Sequence, residues 1–298
     1  MKHIGKSYDK VDAKGILSGK PSYTGDFVPK DALIIKVLRS PHAQAKIKSI
    51  DTSKAKLIPG VEAIFTYEDV PNTRFTLAGQ TYPEPSAYDA LILDPVVRYV
   101  GDEVALVVAK DEATALKALP LIKVEYEVQK PVLDLRTAMD HETVVHPEDD
   151  ILNHIPVGQD YKRNICVSYH KRVGDIEAEL AKCDYVVEGT YFDQATRQSA
   201  MEPFQSFGYI DHLGRIVIVS STQIVFHVRR HIARALGIPA SKIRVIKPRI
   251  GGGFGSKQTA CTELMTAFVT WKLQKPCYLL YDRTEAQTCS TTRHAREW

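Results

Sequence analysis

A glycine-rich loop between a predicted strand and a predicted helix is the feature that most constrains this chain. The loop reads G-G-G-F-G-S-K at residues 251–257, after a strand candidate at 243–246 and before a helix predicted over 259–273. Adjacent glycines let the backbone approach a ligand that a Cβ atom would push away, and their N–H groups can point at one anion or oxo group. Phe254 favours more than a flexible turn, because a large aromatic among glycines usually has a fixed packing role or forms a pocket wall.

The spacing of the loop argues against nucleotide binding. A P-loop places its lysine directly after a glycine, whereas Lys257 follows Ser256. The dinucleotide motif G-x-G-x-x-G also fails, because the third glycine comes one residue early. On the pattern alone, a flexible turn stays open as the alternative.

Two other short segments carry polar side chains of interest. The run S-S-T-Q at 220–223 lies at another strand-to-helix junction, where the Gln223 amide could donate into a cleft, although a surface glutamine is more common. Glu202 precedes Pro203 in a mostly apolar stretch. A hydrogen-bonded structural carboxylate is the favoured interpretation of Glu202.

Composition and charge exclude several classes of protein. The 298 residues are 44% hydrophobic and 25% charged, with a formal net charge of +3 and no block of like charges, so disorder and nucleic-acid binding are not expected. No apolar run of about 18 residues and no apolar signal segment occur, so we expect a cytoplasmic protein without a membrane span. Five cysteines without a C-x-x-C pair disfavour disulfides, structural zinc and iron–sulfur ligation, and Cys289 has no nameable base to make it a nucleophile.

The order of predicted elements indicates an α+β fold in two domains. Strand candidates alternate with a helix at 113–119 in the first half. The second half has a strand candidate at 185–191, a hairpin around the turn 211–214, and a helix over about 224–236 capped by Ser221-Thr222. Between 140 and 156 the chain becomes polar, with three histidines. His141 and His146 are better explained by a solvated connection than by a metal site. We therefore predict domains at 1–145 and 146–298.

These segments together resemble the molybdenum-cofactor subunit of the xanthine dehydrogenase and aldehyde oxidoreductase family. The loop with Gln258 is similar to the family's G-G-G-F-G-x-K-E/Q signature, the run at 220–224 to its S-T-Q segment, and Arg293-His294 to its R-H element. In the first half, R-S-P-H-A at 39–43, P-G-V at 59–61 and V-R-Y-V-G-D at 97–102 look like the family's N-terminal domain. Arg229-Arg230 and R-V-I-K-P at 244–248 look most like the bacterial xanthine dehydrogenase branch.

The resemblance implies an a/b hammerhead-type domain followed by the first part of a molybdopterin-binding α+β domain. It also implies an oxidoreductase that hydroxylates purines such as hypoxanthine or xanthine with water-derived oxygen. The implied cofactor is a molybdenum pyranopterin, for which a cytosine dinucleotide form is one option. Gln223 and Phe254 would lie near the molybdenum without ligating it, Gln258 would orient the substrate, and the remaining implied cofactor contacts are Gly252, Gly253 and Gly255.

Other parts of the family's machinery are expected outside these residues. The family's general-base glutamate lies far beyond the glycine loop, which would place it after Trp298, and no iron–sulfur or flavin motif occurs here. The resemblance therefore predicts a truncated chain or split subunit that is inactive alone and needs the rest of the molybdenum subunit, an Fe–S subunit and an FAD subunit. An aldehyde, nicotinate or selenium-dependent purine hydroxylase, and a non-catalytic scaffold of the same fold, are the alternatives.

Overall fold

The first 128 residues alternate strands with short helices. The computed structural model describes residues 2–20, 22–77 and 81–298. In β5, six of the seven residues are buried, so this strand is covered on both faces. The elements of this half are α1 (Ala13–Leu17), β1 (Leu33–Arg39), β2 (Ala45–Asp51), α2 (Ser53–Lys56), β3 (Val61–Phe65), β4 (Val96–Val97), β5 (Glu103–Ala109), α3 (Glu112–Ala118) and β6 (Lys123–Val128).

The second half begins with a long irregular stretch and then becomes regular. Between 129 and 204 the only helix longer than a single 3-10 turn, within the part of the chain that is described, has five residues. The elements are α4 (Ile176–Leu180), β7 (Phe192–Asp193), β8 (Gln205–Ile210), β9 (Ile216–Ser220), α5 (Val225–Leu236), β10 (Ile243–Ile246), α6 (Glu263–Leu273), β11 (Cys277–Leu280), α7 (Arg283–Thr288) and β12 (Arg296–Glu297).

Strands from both halves join in one seven-stranded sheet in the order β10-β9-β8-β11-β1-β5-β3. The junction is the parallel pair β1–β11, in which Leu33 is the register partner of Cys277. A smaller sheet has the order β4-β2-β6. The large sheet takes strands from both sides of residue 145, and the division into domains at 145/146 stays a prediction.

The ends of two parallel strands determine where the candidate site lies. β9 and β10 run parallel as neighbours, so their carboxyl ends reach the same edge of the sheet. The chain after β9 carries Gln223, and the chain after β10 carries the glycine loop. Helix α6, buried from Glu263 to Thr270, packs on β8, β9 and β11, and α5 packs on α6 and β10.

Several predicted elements differ in the structure. The hairpin at 211–214 is confirmed, and the helix predicted from 224 begins at Val225. Its N-cap residue is Ile224 rather than Ser221 or Thr222, but Thr222 Oγ1 accepts from the Ile224 N–H at 3.1 Å, so the predicted cap is confirmed in part. The helix predicted from 259 begins at Glu263, because residues 256–258 form a 3-10 turn first.

The strand predicted at 185–191 is wrong. Residues 185–190 are exposed and belong to no strand, because strand-forming side chains make a strand only where a neighbouring strand is available for pairing. Tyr191 alone pairs, through two backbone hydrogen bonds with Trp298. None of the helices in the described ranges is long and apolar enough to cross a lipid bilayer.

Candidate functional site

Three segments far apart in sequence meet at the edge of the sheet. The backbone N–H of Gln223 donates to the carbonyl of Lys257 at 2.8 Å. Glu202 and Gly251 exchange two hydrogen bonds, since Glu202 N–H donates to the Gly251 carbonyl at 3.0 Å and Gly251 N–H donates to Glu202 Oε2 at 2.7 Å. The structure therefore joins the S-T-Q run, the Glu202 segment and the glycine loop.

A buried ion pair connects the glycine loop to the Glu202 segment. Lys257 Nζ lies 2.9 Å from Glu202 Oε2, and the two side chains are 1% and 8% exposed. Burial lowers the pKa of Lys257, and the neighbouring Glu202 carboxylate opposes that effect. Gln205 Nε2 donates to the other oxygen of Glu202 at 2.7 Å, so the structural role predicted for Glu202 is confirmed. Sequence reasoning missed Lys257 as its partner, which is 55 residues away.

The close approach of these segments explains two of the glycines. A Cβ added at Gly251 would lie 2.6 Å from the Glu202 Cβ, and one added at Gly253 would lie 2.5 Å from Gln223 Oε1. Real Cβ atoms do not tolerate such distances. A side chain at position 251 would force the Glu202 segment away, and one at position 253 would displace the Gln223 amide from the loop. The sequence analysis predicted that adjacent glycines allow a close approach of the backbone to a ligand. Here they allow a close approach of the loop to other segments of the same chain.

Phe254 stands at the surface of the loop in a strained conformation. Its φ of 52° lies in the left-handed region, which is uncommon for a bulky residue and concentrates at functional sites. The side chain is 67% exposed, so the ring is not part of the core. A role as a pocket wall stays a prediction.

Polar groups around the loop lack partners. Gln223 Oε1 is buried and accepts no hydrogen bond from the described residues. Across the same described ranges, no acceptor pairs with the backbone N–H groups of residues 252–255. Buried polar atoms are normally hydrogen-bonded, so a buried amide oxygen beside a run of open N–H groups is the pattern expected of a ligand site.

Glu263 supports the site from the start of α6, and sequence reasoning missed it. Its Oε1 accepts from Ser220 Oγ at 2.6 Å, and its Oε2 accepts from the N–H groups of Cys261 and Thr262 at 3.0 and 3.1 Å. Burial raises the pKa of Glu263. The carboxyl group connects the end of β9 to the chain that follows the glycine loop. The sequence feature that could have pointed to Glu263 is a glutamate in the first turn of an otherwise apolar helix.

Two further residues singled out in the sequence have clear positions. Gln258 is half-buried beside the loop, and its N–H donates to the Gly255 carbonyl at 3.1 Å. The next residue, Thr259, lines a cavity of about 540 Å³ whose lining does not include Gln223 or Phe254. Cys289 is buried and its pKa is raised by that burial, which keeps the thiol protonated and disfavours a nucleophilic role.

Comparison with known proteins decides the family. Residues 157–298 match the molybdopterin cofactor-binding domain, and residues 18–130 match the aldehyde oxidase and xanthine dehydrogenase a/b hammerhead domain. The chain belongs to the aldehyde oxidase and xanthine dehydrogenase family. This assignment confirms the predicted resemblance and the predicted α+β fold class.

Individual members of this family are oxidoreductases and dehydrogenases of larger size than this chain. It is 40% identical to a probable hypoxanthine oxidase, XdhD, of Escherichia coli, over 98% of this chain and 33% of that protein. It is 31% identical to the nicotinate dehydrogenase large molybdopterin subunit of Eubacterium barkeri, over 98% of this chain and 64% of that protein. The aldehyde oxidoreductase of Desulfovibrio gigas has a similar structure, with a TM-score of 0.81 at 25% identity over 98% of this chain and 32% of that one. The chain thus spans about a third of XdhD.

Proposed function

We propose that this chain holds the molybdopterin cofactor of a purine hydroxylase through Gln223 and the backbone of Gly252, Gly253, Phe254 and Gly255. The observation that supports the proposal is the buried, unpartnered Gln223 Oε1 beside the open N–H groups of residues 252–255. The backbone N–H groups and the Gln223 Nε2 amide can donate to oxo and other acceptors, while Gln223 Oε1 can accept from an N–H or O–H group of the cofactor. When bound, the molybdenum cofactor would supply the redox chemistry of hydroxylation, which protein side chains cannot provide.

The residues of this chain would hold and orient the cofactor. Backbone donors that are fixed before the ligand arrives stabilise developing negative charge with little reorganisation. The Lys257–Glu202 pair holds the loop in that arrangement, and Phe254 would shield the ligand from one side. The general base, the Fe–S and FAD centres and the rest of the molybdenum subunit would come from other segments or chains.

Gln258 is the residue of this chain that we assign to the substrate. Its amide can donate and accept, which suits the edge of hypoxanthine or xanthine better than a carboxylate that only accepts. Similarity to the hypoxanthine oxidase XdhD and to a putative xanthine dehydrogenase subunit, XdhA, both of Escherichia coli, supports a purine. Similarity to nicotinate dehydrogenase supports an N-heterocycle such as nicotinate as the second candidate.

A substrate panel on the assembled, molybdenum-loaded protein tests the substrate. Purine turnover well above aldehyde and nicotinate turnover is expected, whereas faster nicotinate turnover would favour the second candidate. A protein that contains no molybdenum, after expression with active cofactor biosynthesis, would instead be a scaffold of the same fold.

Substitution of Gln223 tests the assigned cofactor contact. Gln223→Ala is expected to lower turnover by roughly ten- to a thousand-fold, the range for losing one fixed donor, while molybdenum content shows whether the cofactor is still bound. Gln194→Ala is the matched control, because Gln194 is an exposed glutamine outside the site. Equal turnover in the Gln223→Ala variant and the control would contradict the role of Gln223.

A further inference from the structure

A second cluster of polar side chains lies away from the glycine loop, where helix α5 meets the segment around residue 84. Glu84, His227 and His231 each offer one ligand atom, and these atoms all lie within 4.8 Å of one another. Glu84 Oε1 is 3.8 Å from His227 Nδ1 and 3.9 Å from His231 Nε2. The two histidines are four residues apart in α5, so the helix brings them to one face. We call this group the Glu84 cluster.

The hydrogen bonds of Arg230 show that the cluster already attracts a cation. Arg230 Nη2 lies 2.9 Å from Glu84 Oε1 and 2.7 Å from His227 Nδ1. Arginine has only donors, so the His227 Nδ1 lone pair must accept in this contact. A carboxylate oxygen and an imidazole lone pair therefore point at the same positively charged nitrogen.

Burial and supporting contacts hold these groups in place. The side chains of Glu84 and His231 are 2% and 4% exposed, and that of His227 is 18% exposed. The second oxygen of Glu84 accepts from the Tyr88 hydroxyl at 2.9 Å, a contact that orients the carboxylate as outer partners orient metal-ligating carboxylates. A cavity of about 390 Å³ reaches Glu84 and His231, so a small cation and water have a path to the cluster.

We propose that the Glu84 cluster is a binding site for a divalent cation of the zinc class, with Glu84, His227 and His231 as ligands and Arg230 as the cation displaced. Two imidazoles and one carboxylate are a common zinc ligand set, and water from the cavity would fill the fourth position. Ligand atoms around tetrahedral zinc lie roughly 3.3 Å apart, given Zn–N distances of about 2.0–2.1 Å, so side-chain shifts of about half an ångström would complete the Glu84 contacts. The bound ion would fasten the Glu84 segment to helix α5.

Zinc content of the purified, fully assembled protein tests this site. The protein is equilibrated with zinc, desalted, and analysed for zinc, iron and molybdenum per chain. The wild type is expected to keep one zinc that His231→Ala and Glu84→Gln lose, with affinity falling by more than the roughly 10–100-fold that loss of an outer partner costs. His212→Ala is the matched control, because His212 is an exposed histidine in the β8–β9 turn, and it should keep the zinc.

The Arg230→Met variant tests the proposal through an expected gain in zinc affinity rather than a loss. It keeps all three ligands and removes the competing guanidinium, so zinc should bind about tenfold or more tightly, a gain that a misfolded variant cannot give. X-ray absorption should show nitrogen and oxygen ligands, which separates this site from the exposed thiols of Cys166 and Cys183. Equal zinc in the wild type and the ligand variants, sulfur ligation, or unchanged affinity in Arg230→Met would overturn the proposal and leave Glu84 and Arg230 as an ion pair.

Discussion

The glycine loop at 251–258 and the connecting segment at 140–191 both have little regular secondary structure, yet different contacts hold them. In the loop, Lys257 is 1% exposed and pairs with a buried Glu202. In the connecting segment, Glu148 is 17% exposed beside Arg98, and Asp140 is more than half exposed in its pair with Arg163. Removal of one partner should therefore cost most stability where the ion pair is buried, since it leaves the other charge without water. The three pairs should rank by burial in their effect on stability.

The largest effect should come from breaking the buried pair under the glycine loop. Glu202→Ala leaves the Lys257 ammonium buried and unpaired and removes an acceptor from Gly251, so the free energy of unfolding should fall by about 3–5 kcal/mol. Denaturant titration of the purified protein measures it. Glu188→Ala is the matched control, because Glu188 is exposed and has no described ion pair.

A double variant distinguishes loss of a partner from loss of the pair. Glu202→Leu combined with Lys257→Met replaces both charges by apolar side chains of similar size, which is often nearly neutral for a buried pair. We expect the double variant to unfold at higher denaturant than Glu202→Ala. A double variant that is less stable than Glu202→Ala would show that the loop depends on the charges themselves.

The sequence allowed the local parts of the site to be predicted because they depend on neighbours in the chain. Three adjacent glycines, the S-T-Q run and the carboxylate before Pro203 were each recognisable. Their meeting was not, because it depends on β9 and β10 being parallel neighbours, and parallel pairing leaves no local signal. The Lys257–Glu202 pair was missed for the same reason.

The errors in the fold have the same physical origin. Residues 185–191 are rich in strand-forming side chains, but among the described residues only Tyr191 pairs with another segment, through two backbone hydrogen bonds with Trp298. By contrast, β1 and β11 pair across more than two hundred residues of sequence. The predicted solvated connection was partly wrong, because Glu148 and His146 are largely buried against Arg98 and Asp89. The Glu84 cluster had one visible signal, the spacing of His227 and His231, but the third ligand lies over 140 residues earlier.

Removal of the Glu148 charge in the connecting segment should have an intermediate effect on the free energy of unfolding, and this effect should depend on pH. Burial alone would raise the pKa of Glu148, but the His146 ring and the Arg98 guanidinium lower it to about 2. The folded pKa lies below the unfolded value of about 4.3, so the stabilisation is complete above that pH and is lost as pH falls toward about 2. Glu148→Gln should therefore lower the free energy of unfolding by about 1.5–3 kcal/mol near pH 7.

Unfolding titrations from neutral to acidic pH test the sign of this effect. The difference between Glu148→Gln and the wild type should shrink as pH falls below about 4, because the wild-type carboxyl becomes protonated. A difference that stays constant over this range would mean that Glu148 acts through packing rather than through its charge.

The smallest effect should come from the exposed pair of the connecting segment. Asp140 and Arg163 are about half exposed, so water already solvates both charges and salt screens their attraction. Asp140 has a φ of 59°, a left-handed conformation that asparagine also adopts readily, so Asp140→Asn removes the charge without adding backbone strain. We expect no resolvable change in the denaturant midpoint at low or high salt. A loss as large as that of Glu148→Gln would break the ranking by burial, and would mean that the turn at Asp140 holds the connecting segment through its charge.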